Sequence, residues 1–156
     1  MTQVRRHNEA VLRTLEVGDL VAFDRIYYTH VGVYVGAEEI VHLYLDEQSG
    51  KGCVKKEDFW SVAGQSTAKK NNDKGKDYWS LRKEEIKSRA LGKLGTSPYD
   101  VLKYNCEHFA NWCRYDQMKS VQVDSGGYFW KIAASVVGIL GIFTSSSSSS
   151  SSSGKR

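Results

Sequence analysis

Hydrophobic and polar positions alternate with a period of two over His30-Val31-Gly32-Val33-Tyr34-Val35 and again over Ile40-Val41-His42-Leu43-Tyr44-Leu45. Such alternation marks strands with a buried face. Gly36-Ala37-Glu38-Glu39 between them reads as a turn, so the two runs predict a hairpin. A short apolar strand is expected at Leu20–Phe23 and another around Cys53–Lys56. Two later stretches follow a helical period instead. Lys83–Leu94 turns Ile86, Ala90, Leu91 and Leu94 inward, and Gly95 sits where a left-handed residue ends a helix. After the break at Thr96-Ser97-Pro98, a helix is expected to run to about Tyr115, with Cys106, Phe109, Ala110 and Cys113 at i, i+3, i+4 and i+7 on one apolar face. Residues 1–14 read as a flexible lead-in, with a short helix around Glu9–Leu15. The lysine-rich stretch Ser66–Asp77, carrying Asn71-Asn72-Asp73, reads as a mobile surface loop. No internal repeat is present.

The pattern changes near the C-terminus. Ile132–Thr144 is uncharged and mostly apolar, and is preceded by Tyr128, Phe129, Trp130 and Lys131. As a helix, 128–144 would be about 25 Å long, against a hydrocarbon core of roughly 30 Å. Aromatic residues and a snorkelling Lys131 at one end would help it reach, and Ala134 and Gly138 have the four-residue spacing of close helix contacts. A C-terminal membrane segment over 128–144 is therefore expected, with a buried or surface-lying helix as the alternative. Ser145–Ser153 is an unbroken serine tract, so 145–156 reads as a disordered tail.

Composition narrows the class. At 156 residues, 40% hydrophobic and 26% charged, the rest of the chain fits one soluble domain, placed at 15–127. The net charge of +4 is scattered over Arg5, Arg6, Arg13, Lys69, Lys70, Lys74, Lys76, Lys155 and Arg156. Solvated loops explain most of this, and an anionic membrane surface is the next candidate. No basic stripe with interleaved aromatics supports a nucleic-acid partner. Three cysteines without framework spacing suit a reducing compartment. The polar, basic stretch Met1–Glu16 has no apolar run of a secretory signal. Oligomeric state is not legible from these features.

The candidate chemistry lies in Asn105-Cys106-Glu107-His108-Phe109. Asn105 can cap the helix with its side-chain oxygen, which puts Cys106 where free N–H groups and the positive end of the helix dipole converge. Such a setting lowers a thiol pKa and makes a candidate nucleophile. His30 and His42 could serve it. Their even spacing, with a three-residue hairpin loop, puts both imidazoles on one sheet face. One histidine would deprotonate the thiol and a second polar group would orient the first. His108 points about 200° from Cys106 around a helix and reads as structural, bonding backbone at the turn. Glu107 suits the first-turn dipole, and Cys113 and Cys53 read as packing residues. A zinc site from His30, His42, Cys106 and His108 lacks compact ligand spacing. Phosphate-loop and dinucleotide signatures are absent.

Four blocks occur in order: Leu15-Glu16-Val17-Gly18-Asp19-Leu20; Tyr28-Thr29-His30 running into Val33-Tyr34-Val35-Gly36; Val41-His42; and Asn105-Cys106-Glu107-His108-Phe109. Together they resemble the lecithin:retinol acyltransferase family, which includes the H-Ras-like suppressor group of phospholipase/acyltransferases. The resemblance covers roughly residues 15–116, and the cysteine block is its most specific part. Thr96–Tyr115 is similar to the retinol-acyltransferase side. The short chain with one C-terminal apolar segment is similar to the phospholipase side. The resemblance implies an α+β, circularly permuted papain-like (NlpC-type) fold, with a small antiparallel sheet and the nucleophile at a helix N-terminus. It implies Cys106 as nucleophile, His30 as base and His42 as orienting residue. It further implies Tyr28 near the base as a donor to the oxyanion, with Asn105 in support. Val17, Val31 and Asp116 depart from the family pattern, where proline, an aromatic and glycine are common.

The expectation is a thiol acyltransferase or phospholipase A acting on glycerophospholipid esters through an acyl-thioester. The acyl chain would pass to water, an ethanolamine phospholipid amine or a lipid alcohol, with no cofactor or metal. The membrane segment would hold the domain on the cytosolic side of a bilayer. A silent membrane-tethered adaptor of the same fold and a cysteine peptidase or amidase are the alternatives.

Overall fold

The computed structural model describes residues 2–46, 51–73, 77–96 and 105–117. The expected segments at 128–144 and 145–156 lie outside them. The elements in order are α1 (Gln3–Leu12), β1 (Leu20–Asp24), β2 (Thr29–Gly36), β3 (Glu39–Leu45), β4 (Gly52–Asp58), α2 (Phe59–Ala63), β5 (Ala68–Lys70), α3 (Lys83–Gly92) and α4 (Cys106–Tyr115). The strands form one antiparallel sheet in the order β4-β3-β2-β1-β5. This is the mixed helix-and-strand architecture with a small antiparallel sheet that the resemblance implies.

Strand alternation divides the core into two layers. Val31, Val33, Val41, Leu43 and Val54 pack with Ile86 and Ala90 of α3 and with Ala110, Cys113 and Tyr115 of α4. On the other face Val21, Phe23 and Ile40 pack with Phe59, Val62 and Ala63 of α2, and Val11 and Leu12 of α1 lean on this cluster. Side chains on successive strand residues point to opposite faces. His30 and His42, which alternate with Val31 and Val41, therefore belong to the second layer, on the opposite face to α4.

Three expectations need correction. The lead-in is an ordered helix: Thr2 caps α1 by accepting from Arg5 N–H at 3.2 Å, and Asn8 is buried. Asn8 Nδ2 donates to Ser66 O at 2.9 Å, Asn8 Oδ1 accepts from Ala68 N–H at 2.8 Å, and His7 Nε2 lies 2.9 Å from Ala68 O. Secondly, the polar loop contains β5. Its backbone pairs with Val21–Phe23, and Asn72 Oδ1 accepts from Leu20 N–H at 3.0 Å. Polar composition hid this strand because main-chain pairing and Ala68 hold it in place. Thirdly, α3 buries Ile86 and Ala90 as expected, but Leu94 lies beyond the helix and is exposed. Gly95 has the expected positive φ of 75°.

The end of α4 far from the cysteine is anchored as well. Arg114 Nη1 donates to Gly18 O at 2.7 Å, and buried Asp19 forms an ion pair with Lys70 at 2.7 Å. Asp116 ends α4 at φ 57°, in the left-handed region where glycine is common. Its carboxylate meets Arg89 of α3 at 2.6 Å, which ties the two helices together.

Candidate active site

The β2–β3 hairpin brings the histidines together by a different route from the one expected. Its turn is the two-residue Ala37-Glu38, both left-handed (φ 51° and 58°), and the register shifts between Tyr34 and Gly36. Positive φ at both central residues is the type I′ geometry that follows strand twist. The bulge adds the residue that the shorter turn omits, so parity is preserved and both imidazoles share a face. His30 Nε2 lies 2.9 Å from His42 Nδ1, with ring planes at 88°. Gly32, between them on the same face, leaves no room for a side chain unless its neighbours shift. A Cβ there would fall 2.4 Å from Ile40 Cγ2 and 3.2 Å from His42 Cβ.

The bond network continues outward. His42 Nε2 lies 2.8 Å from Glu57 Oε2 on β4, while His42 itself is buried. Glu57 pairs in register with Ile40, two residues from His42 on the same face. Arg25 approaches from the other side. Its Nη1 donates to Ala63 O at 3.0 Å and to Ser66 Oγ at 2.8 Å, and its Nη2 donates to Val62 O. Burial, the neighbouring His42 and the Arg25 charge push His30 down to about 3. Burial also lowers His42, partly opposed by its bond to Glu57. Both rings are therefore neutral at physiological pH.

Cys106 opens α4 as expected. Asn105 is the N-cap, its Oδ1 accepting from His108 N–H at 2.9 Å, while His108 Nδ1 accepts from Asn105 N–H at 3.2 Å. This is a capping box with histidine in the usual Glu/Gln position, and it gives His108 the backbone-bonding role read from the sequence. The sulfur meets the start of β2. β2 pairs with β1 from Thr29 to Val33, but with β3 only from Gly32 onward. Before that point the Cys106 thiol donates to Thr29 O at 3.8 Å, and the Val31 N–H bonds to its sulfur. The thiol thus touches the backbone on both sides of His30. Among the described residues, no hydrogen bond joins it to either imidazole.

This setting reverses the expected ionisation. Desolvation pushes the Cys106 thiol up to about 11, helped by the nearby Glu107 carboxylate. The Val31, Glu107 and Cys106 N–H groups act in the expected direction but do not overcome burial. At rest the proton stays on sulfur.

The remaining candidates find simple places. The Tyr28 ring stands edge-on to His30, centroids 6.4 Å apart, and Tyr28 is exposed next to the more exposed Ile26 and Tyr27. Cys113 is fully buried among core residues and its thiol is pushed up to about 12 by desolvation. Cys53 is half-buried rather than buried. Among the described residues, no group of three or more His, Cys, Asp or Glu side chains is placed to hold a metal, and no helix is long and apolar enough to cross a membrane. Glu57 and Arg25 were missed. Lys55-Lys56-Glu57 looks like a solvated charge run, and only the β3–β4 register shows that Glu57 meets His42.

The profile of the lecithin retinol acyltransferase family matches residues 13–119. Human phospholipase A and acyltransferase 2 is 34% identical over 144 residues, covering 80% of this chain and 89% of the relative. Human phospholipase A and acyltransferase 3 is 34% identical over 136 residues, covering 78% and 82%. Rat lecithin retinol acyltransferase is 31% identical over 134 residues, covering 69% of this chain and 57% of that protein. The matched span contains the hairpin histidines, Glu57 and the capped cysteine helix, and the chain belongs to the lecithin retinol acyltransferase family.

Proposed function

We propose that this protein is a thiol-dependent phospholipase A/acyltransferase of glycerophospholipid esters. The observation that carries the reading is the position of Cys106 Sγ, bonded to the backbone on either side of His30, with His30 in turn bonded to His42. The order of histidine strands first and cysteine helix later is read as the circularly permuted papain-like arrangement. Relatives named for phospholipase A and acyltransferase activity support the substrate class.

In this mechanism the neutral thiol attacks the ester carbonyl while His30 takes its proton. The C–S bond forms, the ester C–O bond breaks, and the lysolipid oxygen leaves with the proton held by His30. The acyl chain then passes from Cys106 to water, to an ethanolamine phospholipid amine or to a lipid alcohol. The neutral resting pair implies that proton transfer accompanies attack rather than preceding it. Tyr28 and the Cys106 N–H are assigned to the oxyanion, a contribution on the order of 3 kcal/mol per donor. Asn105 supports the site by fixing the first turn of α4. The exposed Ile26, Tyr27 and Tyr28, next to His30, suit a site that works at a lipid surface. The segment 128–144 is read as the membrane attachment of the domain.

Intact mass after brief exposure to phosphatidylcholine vesicles tests this reading. An acyl adduct is expected on Cys106, absent from Cys106→Ser, and discharged by the correct acceptor. Equal phospholipid hydrolysis by the two proteins defeats it. Absence of turnover in both favours the adaptor, and cleavage confined to peptide amides favours the peptidase.

A further inference from the structure

We infer that Glu57 is a positioning residue that sets the tautomers of both site histidines and leaves His30 Nδ1 as the atom that accepts the thiol proton. The part of His30 as base rests on the acyl-transfer reading, while the tautomers follow from the hydrogen bonds alone.

An ionised carboxylate only accepts hydrogen bonds. The 2.8 Å contact with Glu57 Oε2 therefore requires His42 to carry its proton on Nε2. A neutral imidazole with Nε2 protonated has a lone pair on Nδ1. The His42 Nδ1 facing His30 Nε2 at 2.9 Å is then an acceptor, and His30 Nε2 must be its donor. This leaves the His30 lone pair on Nδ1, the ring nitrogen closer to the strand backbone that Cys106 touches at Thr29 and Val31. The chain of dependence runs from a half-buried carboxylate through a buried ring to the base.

The surroundings support a specific role for this carboxylate. Lys55 lies opposite His42 in the register and Arg25 approaches from the β1–β2 turn, so both nearby cations disfavour a charged imidazole. Glu57 is the group that holds His42 towards the protonated side. Removing its charge makes the histidine pair harder to protonate. Removing its oxygen lets His42 turn its proton onto Nδ1, where it would meet the proton on His30 Nε2. His30 would then flip its tautomer and lose the lone pair on Nδ1.

Histidine-ring 15N–1H spectra of the full chain, with phospholipid turnover measured on the same samples, test this. In the wild type both His30 and His42 are expected as Nε2–H tautomers. In Glu57→Ala, Nδ1–H forms should appear at one or both, and kcat should fall about 10- to 100-fold with KM unchanged, a part of what a placed general base supplies. Glu57→Gln, which keeps an acceptor oxygen without charge, should retain the tautomers and shift the acid limb of kcat/KM to lower pH. An Nδ1–H tautomer on wild-type His30, or unaltered tautomers in Glu57→Ala, overturns the inference whatever the turnover. A wild-type chain with the expected tautomers and no phospholipid turnover defeats the functional reading instead.

Discussion

The Cys106 thiol stands 3.8 Å from the Thr29 carbonyl, ahead of the residues through which β2 pairs in register with β3, Gly32 to Gly36. The sulfur is held by main chain rather than by a charged neighbour, and its proton is correspondingly hard to remove. Alkylation of Cys106 by iodoacetamide, followed by mass mapping across pH, is expected to titrate near pH 11. A free thiol titrates near 8.5. A midpoint below pH 8 would show a resting thiolate and contradict the neutral pair.

Acid should weaken the fold through His30. Its folded-state pKa of about 3 lies below the ordinary 6.5, so between these values the unfolded chain binds a proton that the folded chain refuses. Stability is thus fully present above pH 6.5 and declines as pH falls towards 3. His42 is shifted in the same direction. Urea unfolding at pH 7 and pH 4.5 should show a loss on the order of a few kcal/mol, and a smaller loss in His30→Gln. The chosen window stays above the lowered range of Asp19, whose contribution is lost only in stronger acid. Equal losses in the two proteins would remove His30 from the account.

Gly32→Ala should damage fold and site together. The new methyl meets Ile40 Cγ2 at 2.4 Å and crowds His42. Overpacking of this kind costs about 1–3 kcal/mol, and a displaced His42 breaks the bond that orients His30. Thermal melts and turnover should both fall. A variant that keeps wild-type stability and rate would show that the sheet yields there at no cost.

The hairpin turn offers the opposite change. Ala37 and Glu38 both occupy the left-handed region, which side chains adopt reluctantly. The backbone bond from Phe59 N–H to Glu38 O needs no side chain. Replacing the pair by Asn-Gly, the preferred type I′ sequence, is expected to add roughly 1 kcal/mol to stability, seen as a higher Tm. A lower Tm would mean that the original side chains contribute more than their backbone strain costs.

Sequence pattern and structure agree where a local period carries the information. The alternation around His30 and His42 gave the hairpin, and Asn105 with the apolar face of α4 gave the capped helix. Disagreement arises where distant segments decide. β5 exists because β1 and Asn72 supply partners to a polar stretch, which hydropathy does not register. Glu57 enters the site through the pairing of β4 with β3. The thiol pKa departs from the helix-terminus expectation because helix position is local, whereas desolvation depends on everything packed around the sulfur. The backbone-bonding part of His108, by contrast, was legible from helical geometry, which turns it about 200° from Cys106.

The buried amide of Asn8 grips the chain at Ser66 and Ala68 much as a neighbouring strand would. The family profile begins at residue 13, after α1 has ended. A recombinant fragment trimmed to that homology boundary would leave the outer margin of β5 open to water, and to other chains seeking a strand to join. Expression work on this protein should keep the first dozen residues.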